Sequence, residues 1–60
     1  MSNFIEIDVE TKYETDMAVL FNDGDNDFWV PKSVLEDWPD VGDIGTAMVQ
    51  EWFAIEKELI

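Results

Sequence analysis

The side chains in this sequence that could do chemistry are almost all carboxylates. Fifteen Asp and Glu stand against Lys12, Lys32 and Lys57, and the chain has no Cys and no His. Without imidazole or thiol, the commonest general base and the most nucleophilic side chain are both missing. Ser2 and Ser33 have no histidine to activate a hydroxyl. A paired-carboxylate mechanism needs two acids flanking a sugar-sized cleft, which sixty residues hardly build. The sequence therefore predicts a protein that binds rather than catalyses, with no catalytic residues and no cofactor.

Asp23, Asp25 and Asp27 stand at alternate positions, as the first three ligands of a calcium loop do. The match then breaks. Phe28 occupies the position that needs Gly for the sharp turn, and Val34 the position of the bidentate Glu. No dedicated metal site is predicted. Asn22-Asp23-Gly24-Asp25-Asn26-Asp27 reads instead as a hairpin turn, enriched in Asp and Gly for backbone reasons.

What remains is the charge, −12 on sixty residues. Such a field repels nucleic acid and anionic membranes and attracts basic surfaces. Its most regular part is Glu6, Asp8 and Glu10. At alternate positions of a strand these acids share one face, with Cα atoms about 6.7 Å apart, twice the rise per residue. Asp23, Asp25 and Asp27 add charge at the hairpin, and Glu36, Asp37, Asp40 and Asp43 form a third run. Carboxylates at regular spacing on a rigid strand can stand in for a row of phosphates in a basic groove. The competing reading is that outward strand positions must be polar and that acidity serves solubility.

Aromatic residues could also recognise nucleic acid by base stacking, but such platforms come with positive charge. Phe28, Trp29, Trp52 and Phe53 are expected in the core, where aromatic side chains bury the most area. Trp38, between Asp37 and Pro39, is either a lid over one end of the core or an exposed anchor for a partner.

The elements that must carry these residues follow from periodicity. Phe4 to Glu10 alternates, with Ile5, Ile7 and Val9 on one side and Glu6, Asp8 and Glu10 on the other, a half-buried strand. Lys12 and Tyr13 are candidates to extend it. Asp16 to Phe21 is apolar on both faces and reads as a more central strand. Phe28-Trp29-Val30 is a third, stopped by Pro31. Ser33-Val34-Leu35-Glu36 has the form of a capping box opening a helix that Pro39 limits to about one turn. The last stretch has two readings. Met48, Trp52, Ile55 and Leu59 fall on one stripe of a long helix from Thr46; alternatively Ile44 to Gln50 is a fourth strand and only Glu51 to Leu59 is helical. With 47% hydrophobic residues the chain is too apolar for a disordered acidic tail, and its length suffices for one domain, residues 1–60.

Two segments carry a resemblance. Ala18-Val19-Leu20-Phe21, an acidic turn and Trp29-Val30-Pro31-Lys32-Ser33 form one. Glu51-Trp52-Phe53-Ala54 through Lys57-Glu58-Leu59-Ile60 is the other. Together they resemble a group of small, mostly uncharacterised acidic proteins of bacteriophages and mobile elements. The resemblance covers about half the chain and carries no known active site. It implies a phage or prokaryotic origin and favours strand-then-helix at the C-terminus. Thr46-Ala47-Met48 departs from it, because that group shows more alternating, β-branched residues there.

The expected fold is thus α+β, an antiparallel sheet of three or four strands, open or partly closed as a barrel. A C-terminal helix would pack Trp52, Ile55 and Leu59 against it. The expected function is to block the nucleic-acid-binding surface of a basic host protein, in a bacterial cytoplasm. Glu6, Asp8, Glu10, Asp23, Asp25, Asp27, Glu36, Asp37 and Trp38 would form the contact, without direct nucleic-acid or membrane binding. The alternative is an accessory module docking through an apolar patch around Trp38 and the terminal helix.

Overall fold

A computed structural model describes residues 3–59 of the chain. In order these form β1 (Phe4–Glu14), β2 (Ala18–Asn22), β3 (Asp27–Pro31), a 3-10 turn (Lys32–Val34), β4 (Leu35–Asp37), β5 (Ile44–Gln50) and α1 (Glu51–Glu56). All pairings are antiparallel, in one sheet of order β3-β2-β1-β5-β4. The chain is α+β as expected, with five strands rather than three or four.

β1 is the axis of the fold. Its first half, Phe4 to Glu10, pairs with β5; its last part, Glu10 to Glu14, pairs with β2. The alternation seen in the sequence holds through Thr11, with Val9 and Thr11 buried and Glu6 and Asp8 exposed. The register then slips by one residue between Thr11 and Tyr13, a bulge at Lys12 that bends the strand and re-aims the side chains beyond it. Unbroken alternation would send Tyr13 inward. Instead Tyr13 pairs with Leu20 and is exposed, while Glu14 pairs with the buried Val19.

The topology forces the sheet to curl. β3 and β4 are its opposite edges, yet the 3-10 turn of three residues joins them. From Pro31 to Leu35 the chain can span roughly 14 Å. The edges of a flat five-stranded sheet lie roughly 19 Å apart. The concave side gathers Val9, Val19, Phe21, Val30, Ala47 and Val49 from the strands, Val34 and Leu35 from the connection, and Phe53 from the helix. Full burial of each such Val, Leu or Phe contributes about 1.5–3 kcal/mol. Thr11, also fully buried, donates its hydroxyl proton to the Pro39 carbonyl at 2.8 Å.

Two local expectations are corrected. Ser33 caps nothing: Pro31 precedes the 3-10 turn, and no side-chain cap bond is made. Val34 and Leu35 are both drawn into the core, and Leu35 returns to extended geometry to pair with Val49. A capping box cannot propagate where the next residues are needed as a strand. At the C-terminus, β5 precedes a short helix, and the long helix from Thr46 does not form. Ala47 and Val49 are fully buried at alternate positions between β1 and β4. The helix turns Phe53 and Ala54 inward and leaves Trp52 and Ile55 more than half exposed, so the expected Trp52-Ile55-Leu59 packing stripe is wrong except for Leu59. Leu59 reaches the core because Glu58 adopts φ 58°. Bonds from the Glu58 amide to Ile55 O and from the Leu59 amide to Ala54 O then close the helix end, the Schellman arrangement.

Candidate functional site

The outward face of β1 carries Glu6, Asp8 and Glu10. Their cross-strand partners on β5 are Met48, Thr46 and Ile44, none of them charged. Glu10 lies 3.9 Å from Lys12, a loose ion pair on the surface. Glu10 also pairs with Asn22 on β2, and Asn22 with Asp27 on β3, so one row crosses three strands. β1 fixes the backbone positions that carry these carboxylates, because it is laddered to β5 along the whole acidic stretch.

At the hairpin, the acids divide their labour. Asp23 Oδ1 accepts the amides of Asp25 and Asn26, both at 2.9 Å. The Asn26 amide first, then that of Asp25, holds the Asp23 carboxyl below its ordinary value. Gly24, at φ 105°, donates its amide to Asn22 Oδ1, and Asn22 in turn donates to Asp27 Oδ1 at 2.7 Å. Asp23 and Asp27 thus build the turn. Asp25 is exposed. Among the described residues, no group of three or more Asp or Glu is arranged to hold a metal ion.

The structure brings Asp23 of the hairpin beside β1. Two depressions meet between β1 and the hairpin tip, sharing Asp8, Val9 and Asp23. One continues inward to Ile7, Phe28 and Leu59; the other continues outward to Glu10, Gly24 and Ile44. Glu36 and Asp37 are exposed on β4, at the far edge of the sheet, and do not join this group. Asp40 and Asp43 lie in the connection to β5, where the Asp43 carbonyl accepts the Thr11 amide.

Trp38 packs against the core and is partly buried. Its indole N–H donates to Glu14 Oε1 at 3.2 Å, and the Lys32 ammonium stands 5.7 Å from its ring centroid. Lys32 donates to the other Glu14 oxygen at 2.7 Å. These bonds, Lys32 first and Trp38 second, lower the Glu14 pKa. Of its two sequence readings, the lid over the core describes Trp38.

Three features escaped the sequence. The first is Glu14, hidden because the bulge that re-aims it leaves no compositional mark. The second is an apolar row on the outer face, Tyr13-Leu20-Trp29, in register across β1, β2 and β3. Tyr13 and Trp29 are 59% and 50% exposed and meet edge to face at 6.4 Å. Trp29 is therefore not a core residue; it alternates outward between the inward Phe28 and Val30. Trp52 too lies outside the core, with its indole N–H bonded to Gln50. The third is the gap between β1 and the hairpin. Strand alternation could have found the Trp29 position; the other two depend on register.

No helix among the described residues is long and apolar enough to cross a membrane. No family model matches the chain, and neither a curated protein nor a solved structure shows significant similarity to it. The guide to function is therefore the surface itself.

Proposed function

We propose that this protein is an acidic binding module that occupies the nucleic-acid-binding surface of a basic host protein, as a charge mimic and inhibitor. One observation carries the reading: Glu6, Asp8 and Glu10 project from successive outward positions of a strand fixed along that stretch by its neighbour β5. Only three lysines oppose fifteen acids, and one of those lysines, Lys32, is already engaged by Glu14. For solubility alone a net charge of magnitude about 2–8 already suffices in a small domain. Opposite fields give fast encounter and steep salt dependence. The fitting targets are bacterial enzymes that grip DNA or RNA, such as restriction, CRISPR or recombination proteins.

The test is capture from a bacterial lysate at low salt, followed by elution with duplex DNA. Release of nucleic-acid-binding proteins by DNA, and their loss with the Glu6→Lys/Asp8→Lys/Glu10→Lys variant, is the expected result. Capture that survives the triple change overturns the reading. A second reading, docking through an apolar patch, is favoured by the exposed Trp52 and Ile55 on α1 and by the Tyr13-Leu20-Trp29 row. It predicts binding indifferent to salt and lost with Trp29→Ala or Trp52→Ala.

A further inference from the structure

We infer that the open side of β1 at Glu6 and Asp8 is a strand-addition site for an extended segment of a basic protein, with cationic and apolar residues alternating. The inference deepens the function proposed above and rests on it for the basic character of the partner.

The parity of the ladder exposes the edge. Asn3 O accepts the Glu51 amide, and the Thr11 amide donates to Asp43 O, so the odd positions of β1 direct their backbone groups to β5. Alternation then turns the N–H and C=O of Glu6 and Asp8 the other way. On that side β2 begins to pair only at Glu10. Among the described residues, no strand covers Glu6 and Asp8 there. The uncovered stretch is the gap between β1 and the hairpin tip, where the two depressions meet.

The walls of the gap specify the occupant. A strand laid along β1 presents alternate side chains to the two faces of the sheet. Outward ones would meet Glu6 and Asp8; inward ones would meet Ile7, Phe28 and Leu59. The first set calls for Lys or Arg, the second for apolar residues. A second copy of this chain is a poor occupant, because pairing β1 with β1 sets the acids of one edge against those of the other, and directly opposed like charges destabilise a sheet. The same carboxylates that deter self-pairing select a cationic strand. Main-chain bonds would supply affinity and the alternating side chains specificity.

The experiment uses the whole chain assembled by chemical synthesis, with and without N-methylation of the Asp8 amide. That change deletes one edge donor and keeps every charge. The probe is a peptide of about ten residues, within the usual strand length, alternating Lys and Val. A peptide of the same composition with Lys and Val in separate blocks is the comparison. The alternating peptide is expected to bind at low salt and to slow amide exchange at Glu6 and Asp8. N-methylation should weaken it roughly tenfold, the worth of about one hydrogen bond. Equal binding of the block peptide, an unchanged affinity after N-methylation, or protection elsewhere each overturns strand addition. Those outcomes leave the charge-mimic reading to the DNA-elution test. If the N-methylated chain does not fold, exchange in the unmodified protein with and without the alternating peptide decides alone.

Discussion

Glu14 receives Lys32 on one carboxylate oxygen at 2.7 Å and the Trp38 indole on the other at 3.2 Å. The three residues come from β1, the 3-10 turn and the segment after β4, so the carboxylate ties together the end of the central strand and the connection between the two edges. The bulge at Lys12 makes this contact, because it turns Glu14 to the side of Val19.

Glu14→Gln should destabilise the protein at neutral pH, and the loss should be pH-dependent. The folded Glu14 pKa lies below its ordinary value. Its contribution is therefore present in full above the unfolded value and is lost as pH falls through the folded one. Denaturant unfolding of both proteins checks this: the gap between them should be widest near neutrality and should close in acid. A gap that stays constant into acid would show that Gln disturbs packing rather than charge.

Thr11→Val tests the other tie between β1 and the β4–β5 connection. Thr11 is fully buried and its hydroxyl satisfies the Pro39 carbonyl. Valine has nearly the same shape but leaves that acceptor without its donor. The expected cost is about 1–3 kcal/mol, read from the denaturant midpoint at unchanged slope. Thr11→Ser, which keeps the hydroxyl, should cost less.

Much of the sheet was legible in the sequence, because half-buried antiparallel strands write their burial as alternation. Phe4 to Glu10 showed which residues face inward, and Asp23-Gly24 marked the hairpin. β4 was not legible: Leu35-Glu36-Asp37 is too short to show a period, and it is a strand only because β5 is there to pair with it. The face that the C-terminal helix buries was not legible either, for a related reason. Trp52 and Phe53 are neighbours with equal claims to the core by residue type, and the direction in which Gln50 leaves β5 decides that Phe53 is 5% exposed and Trp52 55%. For the candidate site, the acids on one face of β1 could be read directly. Their proximity to Asp23, and their separation from Glu36 and Asp37, came only with strand order.

Glu58→Gly should stabilise the protein. Glu58 holds φ 58° at the helix end, the left-handed position where glycine is the usual residue. A side chain there costs about 1–2 kcal/mol, partly offset by the greater freedom glycine has when unfolded. A net gain of about 0.5–1 kcal/mol is expected, visible as a higher thermal midpoint. No change would mean that the helix end is held by Leu59 packing rather than by backbone geometry.

The acidic face of β1 should itself cost stability. Glu6, Asp8 and Glu10 are spaced about 6.7 Å apart along the strand, inside the roughly 10 Å over which 0.1 M salt screens charge. None has a cross-strand cation on β5, and the net charge of −12 adds a long-range repulsion. Raising salt from about 10 mM to about 0.3 M should therefore raise the thermal midpoint. Neutralising the face by Glu6→Gln, Asp8→Asn and Glu10→Gln should raise it too, more at low salt than at high. In the charge-mimic reading proposed above, the opposite charge of a basic partner would recover that cost. If neither salt nor neutralisation moves the midpoint, the array carries no such cost.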